Sequence, residues 1–122
     1  MSEKASVKKT TLIVEDDAAI RASLKKLLTF LGFDVSAVES GAEAISKLAE
    51  EPDSVFLDLR LTEGDGVEVL RHIREKNLPI KVAVTTGVSD PKLMQEVTLL
   101  RPDAVFHKPL DPGSLVYWLE NA

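Results

Sequence analysis

The sequence predicts an α/β protein whose parallel β-sheet is covered by helices on both faces. Short apolar segments of strand length alternate with longer segments of helical periodicity, which is the pattern of repeated strand–helix units. The strand segments are apolar at consecutive residues, as expected for strands that are buried on both sides. A chain of 122 residues with five such units is predicted to fold as one domain.

The first two units have recognisable start and stop signals. Leu12-Ile13-Val14 is a predicted strand that ends at an acidic triplet, and the helix after it ends at Gly32. The apolar stripe of that helix consists of Ile20, Leu24, Leu27, Leu28 and Leu31. Phe33–Val38 is predicted as the second strand. Ser40-Gly41-Ala42-Glu43 is a capping box that opens the second helix, and Ile45 and Leu48 face inward.

The other three units follow the same plan. Their strands are predicted at Ser54–Leu59, Lys81–Thr85 and Ala104–Phe106. The helices begin after the turn Gly64-Asp65-Gly66 and at the cap-and-proline pairs Asp90-Pro91 and Asp111-Pro112. Their apolar stripes contain Val69, Leu70 and Ile73, then Leu93, Val97 and Leu100, and finally Leu115 and Leu119.

The composition excludes several classes of protein. The chain has no cysteine, which excludes disulfides, thiolate metal sites and thiol catalysis. Its net charge of -5 argues against a nucleic-acid-binding surface. Because no apolar run has the length of a membrane span and the N-terminus does not resemble a signal peptide, we expect a cytoplasmic protein. Residues 1–9 are predicted as a polar tail and residues 10–122 as the folded domain.

The conspicuous polar residues fall at the ends of the predicted strands. They are Glu15 and Asp16 after the first strand, Asp58 at the end of the third, Thr85 and Thr86 at the end of the fourth, and Lys108 after the fifth. Open parallel sheets bind ligands outside the carboxyl ends of their strands. We therefore expect these side chains to meet at one edge of the sheet.

Such a cluster favours phosphoryl chemistry. Three neighbouring carboxylates are stable together only with a positive partner, and oxygen ligands without histidine or cysteine favour Mg²⁺. Lys108 adds an ammonium and Thr86 adds a hydroxyl, which completes a set suited to in-line transfer onto a carboxylate nucleophile. Taken singly, the acidic triplet is also consistent with helix caps and the threonines with ordinary strand residues. A buried Asp58 without a partner, however, would be costly.

These segments resemble the receiver domain of bacterial two-component response regulators over nearly the whole chain. The similarity rests on the acidic pair after Leu12-Ile13-Val14, the strand Val55–Leu59 with its aspartate, and the pairs Asp65-Gly66, Thr86-Gly87 and Lys108-Pro109. The resemblance implies a flavodoxin-like (βα)5 three-layer sandwich with a five-stranded parallel sheet of order 2-1-3-4-5. It also implies a cis peptide between Lys108 and Pro109.

The resemblance assigns the residues of the acidic site. Asp58 would accept a phosphoryl group from a sensor histidine kinase or a phosphotransfer protein. Asp16, Asp58 and the backbone carbonyl of Arg60 would ligate Mg²⁺, and Glu15 would act mainly through water. The chain would then be a signalling phosphoprotein rather than an enzyme, apart from the Mg²⁺-dependent chemistry of its own phosphorylation and dephosphorylation.

The resemblance also implies a switch. Lys108 would pair with the phosphate, and Thr86 would move to hydrogen-bond it, which shifts the surface formed by the fourth helix, the fifth strand and the fifth helix. Many receivers have an aromatic residue three positions before this lysine, whereas this chain has Val105 there and Phe106 next to it. The coupling of threonine and aromatic residue is therefore an open question.

Partners follow from the same resemblance. We expect an unidentified output partner or a fused output domain, and no nucleic acid or membrane bound by this domain. A phosphorylation-dependent homodimer is a further option. The sequence leaves open whether the chain stands alone or is excised from a longer regulator.

Two other classes of function remain as alternatives. A phosphatase that forms an aspartyl-phosphate would usually carry a second acid two residues after the nucleophile, where this chain has Arg60. A receiver-like interaction scaffold that is never phosphorylated would usually have lost the aspartate, the acidic pair or the lysine, and all are present here.

Overall fold

The computed structural model describes residues 9–61, 66–87 and 91–122. Its strands are β1 (Thr10–Val14), β2 (Asp34–Val38), β3 (Ser54–Asp58), β4 (Lys81–Thr86) and β5 (Ala104–His107). Its helices are α1 (Ala18–Phe30), α2 (Gly41–Lys47), α3 (Gly66–Glu75), α4 (Pro91–Leu99) and α5 (Pro112–Asn121), and a 3-10 turn at Leu48–Glu50 follows α2. All strand pairs are parallel and the sheet order is β2-β1-β3-β4-β5. The predicted fold class and strand order are confirmed.

The sheet separates two apolar layers because successive side chains of a strand point to opposite faces. On one face, strand residues pack with residues of α2, α3 and α4, and this layer includes Leu12, Val14, Val55, Leu57, Val82 and Val84. On the other face, the strand residues Ile13, Phe56 and Ala83 pack with residues of α1 and α5. Trp118 of α5 meets Phe56 edge-to-face at 5.7 Å between ring centroids. The central strands are therefore buried on both sides, as their composition predicted.

The ends of α1 and α2 follow the predicted signals. Gly32 has a φ of 97°, a left-handed conformation that suits glycine, and the chain then turns so that the Phe33 amide donates to the Leu28 carbonyl. Phe33 is buried but precedes the second strand, which begins one residue later than predicted. At α2, Ser40 Oγ accepts a hydrogen bond from the Glu43 amide at 3.2 Å, which confirms Ser40 as the N-cap, and Glu43 Oε1 accepts from the Ser40 hydroxyl and the Glu39 amide. The turn residues 64 and 65 and the cap Asp90 lie outside the described residues.

Two arginines of α3 form ion pairs and hydrogen bonds with α4 and with the turn that follows it. The Arg71 guanidinium forms ion pairs with Glu68 on its own helix and with Glu96 on α4. Arg74 donates to the carbonyls of Leu100 and Arg101, at 3.0 and 2.7 Å, just beyond the end of α4. These two carbonyls belong to the turn that follows the helix. The C-terminal end of α4 is therefore tied to α3.

Asp103 links Arg74 of α3 to strand β4. Its Oδ2 atom accepts a hydrogen bond from the Val82 amide at 2.7 Å and lies 3.3 Å from Arg74 Nη2. Arg101 has a positive φ of 50°, so a non-glycine residue makes the turn between α4 and β5. No helix in the described part of the chain has the length and apolar character needed to cross a membrane.

Candidate functional site

Three acidic side chains meet at the carboxyl edge of the sheet. Glu15 and Asp16 lie in the loop after β1, and Asp58 is the last residue of β3. Each offers a carboxylate oxygen, and these atoms lie within 4.8 Å of one another. Glu15 and Asp58 are 2% and 3% exposed, and Asp16 is half-buried. The predicted meeting of these three residues is thus seen in the structure.

Local backbone bonding determines which acids face the site. The Glu15 amide donates to the Val38 carbonyl at 3.1 Å, so the β1–β2 ladder continues one residue beyond the strand. Asp17 turns away to cap α1, where its Oδ1 atom accepts from the amides of Ala19 and Ile20. Only the first two acids of the triplet therefore belong to the cluster.

Lys108 bridges two of the acids. Its Nζ atom lies 3.0 Å from Glu15 Oε1 and 3.2 Å from Asp58 Oδ2. Its backbone amide donates to the Thr86 carbonyl at 2.8 Å, which fixes the lysine at the end of the β4–β5 pair. The peptide bond to Pro109 is cis, as predicted. The fifth strand thus delivers a cation to the acidic edge.

The cluster of three carboxylates and one ammonium has a net negative charge. Burial raises the pKa of the Glu15 carboxyl above its usual value, and the neighbouring Asp58 acts in the same direction, while Lys108 opposes both. Burial alone would lower the pKa of the Lys108 ammonium, but its hydrogen bond to Glu15 and the charge of Asp58 outweigh burial and raise it. Three carboxylates and one ammonium carry a formal charge of about -2, which a divalent cation would neutralise.

The donor set fits Mg²⁺. All the candidate ligand atoms are carboxylate oxygens, which hard cations prefer. The two oxygens of Glu15 already accept from Lys108 Nζ and from the Asp17 amide. Asp58 Oδ1 accepts from the Arg60 amide at 3.1 Å, which orients this carboxylate and places the Arg60 backbone beside it. Asp58 Oδ2 also lies 3.2 Å from Lys108 Nζ, so the oxygens of both buried acids already have partners and these contacts do not rank the three acids as direct ligands.

The two threonines approach the site from different sides. In the register of the sheet Thr85 is the partner of Asp58, whereas Thr86 is the partner of His107, next to Lys108. Both threonines are buried. Thr85 and Thr86 thus adjoin different members of the cluster, so their proximity alone does not assign the switch role.

Gly66 supports the site through its backbone, a role that neither the predicted turn nor the Asp65-Gly66 pair had indicated. It is the first residue of α3, and a Cβ atom built on it would lie 2.1 Å from the Asp58 carbonyl oxygen and 2.8 Å from Leu59 Cα. Real Cβ atoms do not approach backbone so closely, so only glycine fits here. The start of α3 therefore packs directly on the backbone of Asp58 and Leu59.

The aromatic residue near Lys108 belongs to the core. Phe106 packs toward α5, with its ring centroid 6.4 Å from that of Trp118, while Val105 is 38% exposed on the opposite side of β5. No aromatic side chain therefore occupies the exposed position of β5 where many receivers carry one. Phe106 is a packing residue in this structure.

The fold and the site together define a class: a doubly wound parallel α/β domain with a lysine-bridged acidic site at the carboxyl edge of its sheet. The family model described as the response regulator receiver domain matches residues 11–120. The chain belongs to this family, and it is a receiver domain of two-component signalling.

Similar proteins agree with this assignment. The chain is 38% identical over 77 residues to the response regulator MprA of Mycolicibacterium vanbaalenii, an alignment that covers 62% of this chain and 33% of that protein. It therefore spans about a third of the length of the curated relatives that it matches. Among solved structures, a CheY-like receiver domain protein from Methanospirillum hungatei superposes with a TM-score of 0.88 at 27% identity, covering 94% and 93% of the two chains.

A second solved structure is a DNA-binding response regulator of the LuxR family from Staphylococcus aureus. It superposes with a TM-score of 0.85 at 28% identity, covering 93% of this chain and 97% of that one. Both solved structures therefore share the fold of this chain.

Proposed function

We propose that Asp58 accepts a phosphoryl group from a phosphohistidine of a sensor kinase or phosphotransfer protein, with Mg²⁺ bound beside it. The observation that carries the proposal is the placement of Asp58 within 4.8 Å of two further acids and 3.2 Å from Lys108 Nζ. A buried aspartate with these neighbours has both a cation site and a fixed ammonium next to its nucleophilic oxygens.

The chain's own residues divide the work. Asp16, Asp58 and the carbonyl of Arg60 would hold Mg²⁺, with Glu15 acting through water. The metal would neutralise negative charge on the phosphoryl oxygens. An Asp58 oxygen forms the new bond to phosphorus while the bond to the donor histidine nitrogen breaks, and the electron pair of that bond returns to the imidazole. Lys108 then exchanges part of its pairing with Asp58 for a phosphate oxygen.

The wider function rests on the relatives. Because the chain spans about a third of the curated response regulators that it matches, we propose that its signal passes to an output partner or to a fused output domain. We also propose that residues 10–122 form the functional unit and that it works in the cytoplasm. A phosphorylation-dependent homodimer is a testable form of that output.

The direct test is phosphorylation of the purified protein by acetyl phosphate in the presence of Mg²⁺. We expect intact-mass spectrometry to find one added phosphoryl group on the wild type, and none on Asp58→Asn or on wild type treated with EDTA. Asp53→Asn is a matched control, because Asp53 lies outside the site, where it accepts from the Thr10 amide at 2.8 Å. That variant should be phosphorylated. An unmodified wild type under these conditions would favour the interaction scaffold instead.

The threonine that reads the phosphate is a separate prediction. Beryllofluoride, a phosphate mimic, should change the hydrogen exchange of α4 amides in the wild type. We expect Thr86→Val to lose most of this change while Asp58 still accepts phosphate, because valine keeps the shape and removes the hydroxyl. Thr85→Val is the matched control and should respond like the wild type. The reverse pattern would assign the role to Thr85, the strand partner of Asp58.

A further inference from the structure

Arg21 contacts the acidic loop from the first helix. Its Nη1 atom donates to the backbone carbonyl of Glu15 at 2.8 Å, and its Nη2 atom lies 3.5 Å from Glu39 Oε2. The arginine side chain is 22% exposed, so most of it is packed into the protein. The guanidinium thus connects the loop after β1 to the residue that follows β2.

The Glu15 carbonyl that accepts from Arg21 lies between two of the clustered acids. It belongs to the peptide unit that joins Glu15 to Asp16, and a peptide unit is planar. Fixing this plane fixes the directions in which the chain leaves both α-carbons. The other end of Glu15 is held too, because its amide donates to the Val38 carbonyl at 3.1 Å. Arg21 therefore completes the orientation of the segment that carries two of the three clustered carboxylates.

A positive charge here offsets the carboxylates of the metal-free cluster, but it does not by itself help a cation to bind. An arginine near a cation site repels the cation, so on Coulomb's law alone it weakens binding. The guanidinium is, however, a donor with fixed geometry that stays charged, which makes it suited to holding a carbonyl. Glu39 offsets part of its charge.

We propose that Arg21 is a positioning residue of the Mg²⁺ site, which it strengthens by holding the Glu15–Asp16 peptide despite its like charge. This inference rests on the proposed function, since it needs a metal bound by the acidic cluster. Residues that orient metal ligands from outside the ligand set typically change metal affinity when they are replaced. The charge of Arg21 should weaken Mg²⁺ binding, whereas its bond to the Glu15 carbonyl should strengthen it. The direction in which the Kd for Mg²⁺ changes when Arg21 is replaced therefore shows which effect is larger.

The experiment is calorimetric titration of MgCl₂ into the unphosphorylated full chain. We expect Arg21→Gln to raise the Kd for Mg²⁺ by about tenfold, the lower end of such effects. Lys25→Gln removes the same charge from an exposed residue one turn further along α1 and should leave the Kd unchanged or slightly lower. An Arg21→Gln Kd that is equal to or below the wild-type value would overturn the proposal. A wild type that binds no Mg²⁺ would instead refute the proposed function.

NMR of a second variant, Arg21→Lys, tests the proposal even if Arg21→Gln folds poorly. The amide nitrogen of Asp16 belongs to the same peptide unit as the Glu15 carbonyl, so its NMR chemical shift reports the bond without metal. We expect this resonance to move in Arg21→Lys, which keeps the charge but loses the guanidinium, and to stay in place in Lys25→Gln. The Kd of Arg21→Lys should also rise, by less than that of Arg21→Gln. An unchanged Asp16 resonance together with an unchanged Kd in Arg21→Lys would overturn the proposal.

Discussion

Gly66→Ala is expected to destabilise the protein by about 3 kcal/mol, at the upper end of ordinary overpacking. The added methyl group would lie 2.1 Å from the Asp58 carbonyl oxygen. A flexible side chain in that place could rotate away, but the neighbours of Gly66 are the backbone atoms of Asp58 and Leu59. Relief therefore requires either α3 or the end of β3 to move. Because β3 carries Asp58, the proposed acceptor, we expect phosphorylation of Asp58 to fall as well.

Urea denaturation monitored by the single tryptophan measures this effect. Trp118 packs against Phe56 in the core, so its fluorescence reports global unfolding. Gly113→Ala is the matched control, because a Cβ atom there meets only the Asp111 carboxylate, at 3.8 Å and beyond. An alanine in the first turn of α5 should be neutral or stabilise by about 0.5 kcal/mol. If the midpoints of the two variants agree, the packing argument for Gly66 is wrong.

Most of the fold could be predicted because it depends on short-range patterns. Consecutive apolar residues identified the buried strands, and the stripe of α3 packs where its spacing required, as do Leu24 and Leu28 of α1. Leu31, predicted on the same face of α1, is instead 43% exposed, because the helix ends at Phe30. The differences are at element ends: β4 continues to Thr86 and β5 to His107, because the two strands remain paired one residue further than their apolar runs indicate. Strand ends are set by pairing with a neighbour, which composition does not record.

The site was predictable only in part, for a physical reason. Acids and a lysine at strand ends could be placed together because parallel strands end at one edge. The supporting contacts depend instead on the direction and reach of single residues. Arg21 resembles any polar residue of an amphipathic helix until its bond to the Glu15 carbonyl is seen. Gly66 looked like a turn residue, and its role depends on a backbone eight residues earlier.

Strand alternation also explains why Val105 is exposed on β5. Ala104 and Phe106 face the layer of α1 and α5, so strand alternation leaves Val105 on the exposed side of β5. Phe106, one position away on the inner face, cannot replace an aromatic residue on the outer face, because a shift of one residue reverses the side of the sheet. Any phosphate-driven movement here therefore has to work without an aromatic side chain at position 105.

Lys108→Met is expected to destabilise the metal-free protein by about 2 kcal/mol. The change leaves Glu15 and Asp58 buried together without the ammonium that lies 3.0 and 3.2 Å from them. Breaking a fully buried pair costs about 3–5 kcal/mol, and we expect less here because the lysine side chain is 22% exposed. Methionine keeps most of the packing volume, so the loss reports charge. Urea denaturation in EDTA measures it.

Mg²⁺ should reverse much of this loss, which distinguishes a charge effect from damaged packing. The site of Lys108→Met is more negative than that of the wild type, so we expect it to bind the cation more tightly and to gain more stability at a given Mg²⁺ concentration. Lys47→Met is the matched control, because Lys47 Nζ also lies 3.2 Å from a carboxylate, that of Glu50, but both side chains are exposed. That pair should contribute at most about 0.5 kcal/mol, with no response to Mg²⁺. A Lys108→Met protein that is destabilised equally with and without Mg²⁺ would show that the lysine acts through packing, and the charge balance proposed for the acidic edge would have to be abandoned.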